Sequence, residues 1–541
     1  MIWKGAQMNM TELSMRRAFA YVLACAMMLC AVAGCAGYAR AMADVDLPAD
    51  AAALHYDMQL ELDAEMRRLT ERVSLTFTND SADTWSEVYL RDFADSVLAE
   101  DDVRNGVGAA MDGDYTPPTA APQGQHINGD SALTSVRQGG SELEFSVVED
   151  DPSVICVTLA EPLAPGERMT LDMDYYADIP TGAYRLAQER LSGWVGASES
   201  DARTLELAQF YPMLAVYEAG EWICEPYIFD GECFYTRCAD YDISISLPAD
   251  YTLIASGREE SAPRGDGTVD WTVDADMMRD VTLIISNELT CLSAQSRGVD
   301  INSYFIDYGT GREQGETSLE AACTAVDAFT DAYGEYPYDE LDVVESNYEY
   351  GGMEAPGLVR ISMLYAMMLD SDYEEDRVDY AGSLRGTVAH EVAHEWFYAV
   401  VGNDQYRDAW LDESFAAYSE QVYWRACGRD EADISALMAE YLNEHADAGD
   451  QAVDRAYDEF SDPELAVGGY TASVYRRGAA FLYELEQALG AQEFGEFMRG
   501  YYAQYKFSEA DTAGFIAALE PYILDDAAAQ ELIRQYLSKA R

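Results

Sequence analysis

Basic residues are scarce in this chain of 541 residues: 34 Lys and Arg stand against 99 Asp and Glu, a formal net charge of −65. A field of that sign repels phosphate backbones, which excludes nucleic-acid partners and favours cationic ones, divalent metals among them. Histidine is scarcer still, with His55, His126, His390, His394 and His445 the complete set. Long apolar runs are missing beyond the N-terminus, so no later segment predicts a membrane-spanning helix. Cysteine numbers ten, three of them within the first 35 residues. The rest are odd in number and lack the paired spacing of a zinc knuckle, so buried free thiols are the expected state. The 49% hydrophobic and 25% charged content is that of a folded chain. The length accommodates roughly two to four domains.

Lys4, Arg16 and Arg17 precede an apolar run from Ala18 to Ala33. Positive charge followed by an apolar stretch too short to span a bilayer is the export-signal pattern. The run ends Val32-Ala33-Gly34-Cys35, which resembles a bacterial lipobox whose Cys is acylated. The expectation is a lipoprotein signal peptide over 1–35, lipidation at Cys35 and a tether over 36–50. The protein would then be exported and held at the cell surface through its lipid anchor alone. Oligomeric state is not legible.

From 51 to 295 the pattern is strand-like. Tyr56 to Leu62, Val73 to Thr78, Leu171 to Tyr175 and Tyr241 to Leu247 alternate apolar with polar residues, separated by Asn, Asp, Gly and Pro clusters. Residues 105–140 read as one long surface loop. The region 296–541 changes to helical spacing, with helices expected over 319–333, 382–400, 411–426, 472–488, 492–504 and 511–519, and a strand at Leu341–Glu345. Gly402 and Gly428 stand where helix ends would want them. The fold class is therefore multidomain α+β: an N-terminal antiparallel β domain, then a mostly helical domain with a small sheet.

The residues that carry chemistry are His390-Glu391-Val392-Ala393-His394. Positions four apart share one helical face, so two imidazoles can grip one metal ion with a carboxylate beside it. Two of only five histidines falling this way by accident is improbable. A catalytic zinc takes three protein ligands and leaves a fourth corner for water. Downstream, Trp410-Leu411-Asp412-Glu413-Ser414-Phe415-Ala416-Ala417-Tyr418 opens a second helix.

HEVAHEWFYAVVGND followed by WLDESFAAYSE closely resembles the aminopeptidase-N-like gluzincins, a zinc metallopeptidase family that also contains leukotriene A4 hydrolase. The resemblance implies a thermolysin-like catalytic fold and one Zn2+ per chain, bound by His390, His394 and Glu413, with Glu391 as general base. Gly351-Gly352-Met353-Glu354-Ala355 looks like the family's Gly-x-Met-Glu-Asn motif. Gly352, Met353 and Glu354 would then bind substrate, Glu354 taking the free α-amine, while Ala355 stands where the family has Asn. Tyr475-Arg476-Arg477-Gly478 resembles the family's Tyr-x-Lys-Gly stretch and implies Tyr475 as donor to the oxyanion, with Tyr470 a competing phenol. The likeness runs from about 50 to 520, a short form. It implies a zinc aminopeptidase acting on peptides with a free N-terminus. The alternatives are endopeptidase or epoxide-hydrolase-like use of the same site, or an inert peptide-binding surface lipoprotein.

Overall fold

In the strand Leu54–Leu62, Tyr56, Met58 and Leu60 point into the core while Asp57, Gln59 and Glu61 point to solvent. The same two-residue period in Arg68–Thr78, Arg168–Asp178 and Ala239–Pro248 assembles these strands into an eight-stranded sheet. The computed structural model describes residues 54–94, 130–149, 151–180, 185–194, 201–228, 233–348, 351–371, 373–443, 452–460 and 469–540. The expected features at Cys35, the signal segment and the tether lie outside the described residues.

Neighbours in the large sheet are antiparallel except at one seam, where Leu54–Leu62 runs parallel to Ala239–Pro248. Parallel neighbours need a crossover, and here the intervening chain supplies one further four-stranded sheet, ordered Met213–Leu214, Trp85–Arg91, Asp151–Leu163 and Phe145–Val148, and half of a second that Thr252–Ala255 and Leu283–Ser286 complete, both packed on the same core. The stretch expected as one loop over 105–140 ends in a strand, Ser131–Gln138, paired with Arg168–Asp178. A register shift between Leu133 and Ser135 interrupts its alternation, which is why the sequence pattern hid it. The seven cysteines beyond Cys35 are free thiols, and of them Cys233 alone is buried while Cys291 and Cys427 are exposed.

A second sheet of five strands follows, ordered Thr290–Ser296, Val299–Phe305, Glu340–Ser346, Leu358–Ser362 and Gly352–Met353. The boundary expected between 295 and 296 falls within its first strand, so this sheet begins at Thr290. Helix α1, Gly311–Tyr333, crosses between two parallel strands, and its Ala321, Ala325, Val326 and Phe329 are buried in the second core. Helices α2, Glu374–Ala393, and α3, Trp410–Ala426, pack in that same core. At α3's end Gly428 takes a positive φ of 85°, the conformation glycine tolerates best past a helix C-terminus.

The expected helix 382–400 starts earlier and stops earlier. Glu374, Glu375 and Asp376 favour its N-terminus electrostatically. It stops at Ala393 because the chain reverses at Tyr398, held at φ 143°, a region costly for any side chain. Two residues of the β domain hold that turn: Asp280 accepts from the Tyr398 hydroxyl at 2.6 Å, and Arg279 donates to its carbonyl at 2.6 Å.

Arg279 is 2% exposed and also donates to Thr236 O, Ser508 O and the Glu509 carboxylate. It thus joins the β domain, the end of the α2 segment and the C-terminal region. Gly402 ends no helix. It sits in a two-residue strand against this guanidinium, and a Cβ there would lie 1.9 Å from Arg279 Cζ.

Arg279→Ala strips these partners and leaves Glu509 and three carbonyls without their cation; it is expected to destabilise the protein by about 3 kcal/mol. Gly402→Ala, which forces the same group aside, is expected to lower the urea midpoint in the same direction. A midpoint unchanged in both variants contradicts the stapling role.

Candidate metal centre and substrate cavity

Glu413 lies in the first turn of α3, where a carboxylate is stabilised by the helix N-terminus. Its Oε2 is 3.1 Å from His390 Nε2 and 3.4 Å from His394 Nε2. His390 lies in the last turn of α2, and His394 caps it. The ligand atoms of His390, His394 and Glu413 all fall within 4.8 Å of one another. Their side chains are 12%, 1% and 4% exposed.

Each imidazole is aimed from behind. His390 Nδ1 faces Glu420 Oε1 at 3.1 Å, and His394 Nδ1 faces the Phe397 carbonyl at 3.1 Å. With both Nδ1 atoms engaged, both Nε2 atoms turn toward Glu413, which is how second partners orient metal-binding imidazoles. Burial disfavours charge on His390, yet the carboxylates of Glu413 and Glu420 win and push it up to about 10. Burial also disfavours the Glu413 anion, and here the charge on His394 and its bonds to both imidazoles pull it down to about 2. The cluster therefore demands positive charge, and protons meet that demand when no ion does. Two nitrogens and one carboxylate oxygen at one buried point are the His2Glu donor set of catalytic zinc, so these residues fit the ion that the sequence implies.

Glu391 and Glu354 flank the cluster, and their carboxylate oxygens lie within 4.8 Å of each other and of a His394 nitrogen. Glu354 also receives Gln405 Nε2 at 3.5 Å. Gly352 is needed beside Glu391, because a Cβ there would lie 2.5 Å from Glu391 Cγ and Oε1. Met353 is 6% exposed, belongs to the β-domain core and accepts from Arg185 Nη1 at 3.2 Å. Ala355 exchanges backbone hydrogen bonds with Leu358, so its N–H and C=O are spent within a tight turn.

Tyr475 donates to Glu413 Oε1 and its ring lies parallel to His390 at 5.8 Å. It sits in a π-helical turn, Ala472–Arg477, that leads into helix α4, Gly478–Leu489. Gly478 allows α4 to touch α3: a Cβ there would lie 1.7 Å from Ser414 Oγ, and that hydroxyl donates to Val474 O at 2.5 Å. The competing Tyr470 packs on Tyr457 and Phe460 instead, with its ring 6.1 Å from Tyr475. His55 pairs with Asp242 in the β domain; His126 and His445 lie outside the described residues.

Two acids that sequence reasoning misses also belong to the site. Glu420 stands behind His390, and its position seven residues after Glu413, two helical turns on, is the available signal. Glu395 accepts from Gly357 N–H and the Tyr336 hydroxyl, tying the turn after Glu354 to the end of α2, and burial pushes it up to about 8. No sequence signal separates it from other acids. Glu354, Glu391, His394, Glu413, Glu420 and Tyr475 all line one open cavity of about 1020 Å³.

Residues 317–536 match the model of the peptidase family M1 domain. Leucine aminopeptidase 2-1 of Meyerozyma guilliermondii is 27% identical over 39% of this chain and 33% of its own length. Glutamyl aminopeptidase of Mus musculus is 24% identical over 52% of this chain and 30% of its own length. The chain thus spans about a third of these curated relatives. Among solved structures, an M1 zinc metallopeptidase from Deinococcus radiodurans superposes with a TM-score of 0.59 at 18% identity, covering 90% of this chain and 93% of that one. The likeness is one of fold. Further structures of this kind of enzyme carry L-arginine or a Tyr-Ser-Ala substrate.

Because ligands must shed protons to bind metal, zinc affinity is expected to rise with pH across the neutral range, continuing toward the value near 10 set for His390. Proton release measured by calorimetry in two buffers checks this, and a pH-independent affinity contradicts it. Glu420→Ala is expected to weaken zinc binding by about 10- to 100-fold, with Glu420→Gln closer to the parent, as read by chelator competition.

Proposed function

Taking residues 317–536 as a peptidase family M1 domain, we propose that this chain is a zinc-dependent aminopeptidase that hydrolyses the first peptide bond of peptides with a free N-terminus. The observation that carries the reading is the convergence of His390, His394 and Glu413 on one buried point, with two further carboxylates beside it. His390, His394 and Glu413 would hold the ion. Bound zinc supplies a Lewis acid and lowers the pKa of water to about 7.

Glu391 takes the proton of the attacking water on its carboxylate and delivers it to the leaving amine. Tyr475 swings its O–H from Glu413 to the oxyanion of the tetrahedral intermediate, a donation worth about 3 kcal/mol. Glu354 receives the substrate's α-ammonium through charge-assisted hydrogen bonds and so sets which bond is cut. Gly352 leaves room for Glu391, and Met353 forms the wall next to Glu354. The occupied backbone of Ala355 means that the amine, more than a contact at that position, fixes the substrate.

Cleavage before Cys35 removes residues 1–34, the acylated Cys35 becomes the first residue, and the mature protein stands at the cell surface on its lipid anchor, tethered through 36–50. Support comes from the Val32-Ala33-Gly34-Cys35 sequence. No described helix is long and apolar enough to cross a membrane.

Glu391→Gln is expected to keep stoichiometric zinc and lose about 1000-fold or more in kcat, a larger loss than Tyr475→Phe at about 100-fold. Tyr470→Phe causing the greater loss would identify the other phenol. Glu354→Ala is expected to depress hydrolysis of free-amine peptides far more than of N-acetylated ones; comparable rates on both in the parent protein favour an endopeptidase. Incorporation of labelled fatty acid into the parent and not into Cys35→Ala checks the anchor.

A further inference from the structure

Helices α2 and α3 lie side by side in opposite directions. Near the metal cluster His390 meets Glu413, and farther out a Cβ on Gly386 would lie 3.8 Å from Glu420 Oε2 and 3.9 Å from Trp424 Cζ2. The α2 face lining the cavity steps outward through Gly386, Gly382 and Asp379, and a Cβ at Gly382 would meet nothing within 4 Å. The two helices thus form a trough leading away from the cluster. Glu354 lies on the other side, beside His394 at the opposite end of the helical motif.

At the far end of the trough Arg429 stacks on the cavity-lining Trp424, its guanidinium carbon 4.1 Å from the indole centroid. Arg425, four residues earlier, is paired with Glu431 and Glu486. Arg429 has no ion pair with any described residue, in a chain where acids outnumber bases 99 to 34. The stacking fixes the guanidinium plane while leaving its N–H edge open to an anion. From Glu413 to Trp424, and equally from His390 to Asp379, is eleven helical steps, about 16 Å at 1.5 Å per residue. An extended peptide at about 3.3 Å per residue covers that span with about five residues.

We propose that Arg429 binds the C-terminal carboxylate of the substrate, making this site selective for free-acid oligopeptides of about six residues. This rests on the aminopeptidase reading: one residue is held by Glu354 before the cut bond and about five run down the trough. The cavity would hold both ends of a zwitterionic peptide, with an acid at its N-terminus and a base at its C-terminus. Asp379 is the acid that opposes this assignment from α2.

The test is kcat/KM for a peptide series from dipeptide to octapeptide, each as free acid and as C-terminal amide, on the zinc-loaded full chain at low salt. The expected result is a preference for the acid of about fivefold, greatest near the hexapeptide, absent for the dipeptide, and carried by KM. In Arg429→Gln the ratio is expected to fall to about one, and Arg429→Lys to restore part of it. Equal rates for acid and amide at every length, or a preference for the amide as Asp379 alone would impose, overturn the proposal. A preference that persists in Arg429→Gln also overturns it. Failure to release the N-terminal residue from any peptide overturns the aminopeptidase reading, and this proposal with it.

Discussion

Two imidazoles are held with their Nε2 atoms aimed at one carboxylate oxygen, and the neighbouring structure serves that aim. Left alone, the two rings would repel once protonated and turn outward to water. Glu420 and the Phe397 carbonyl engage the Nδ1 atoms and prevent it. The first of these supports comes from α3 and the second from the turn after α2, so the cluster needs that turn to stay formed. The turn carries Tyr398 at φ 143° and persists because Arg279 and Asp280 of the β domain grip it. The β domain therefore supports the metal centre mechanically as well as walling the cavity.

The same economy governs the glycines. Gly352, Gly402 and Gly478 are required by what stands against them: Glu391, Arg279 and Ser414 respectively. Each close approach sets a chemical group. Removing a side chain at 352 lets Glu391 reach the cavity, and removing one at 478 brings the π-helical turn close enough for Tyr475 to reach Glu413. A carboxylate shared between two imidazoles and a phenol stays ionised in a buried place because each neighbour offers it a proton or a positive charge.

Part of this architecture is legible in the order of residues. The alternation in Leu54–Leu62 and Arg68–Thr78 is a direct consequence of one buried sheet face, and it locates those strands closely. The pattern fails at Ser131–Gln138, where a bulge shifts the phase, and at the end of α2, where a long-range grip on Tyr398 overrides continued helical propensity. His390, His394 and Glu413 are legible because helical spacing maps onto one face. Glu395 is not, since its role depends on Gly357 and Tyr336, which are distant in sequence.

By itself the sequence determined the chemistry available: which residues can take a proton or a metal, and which of them share a helical turn, because local geometry follows from neighbouring residues. Whether Tyr470 or Tyr475 meets Glu413, where Arg429 lies relative to the cavity, and that Arg279 secures the strained turn were decided by tertiary structure alone. Those relations join segments tens to hundreds of residues apart, and only the packing of sheet against helices fixes such distances.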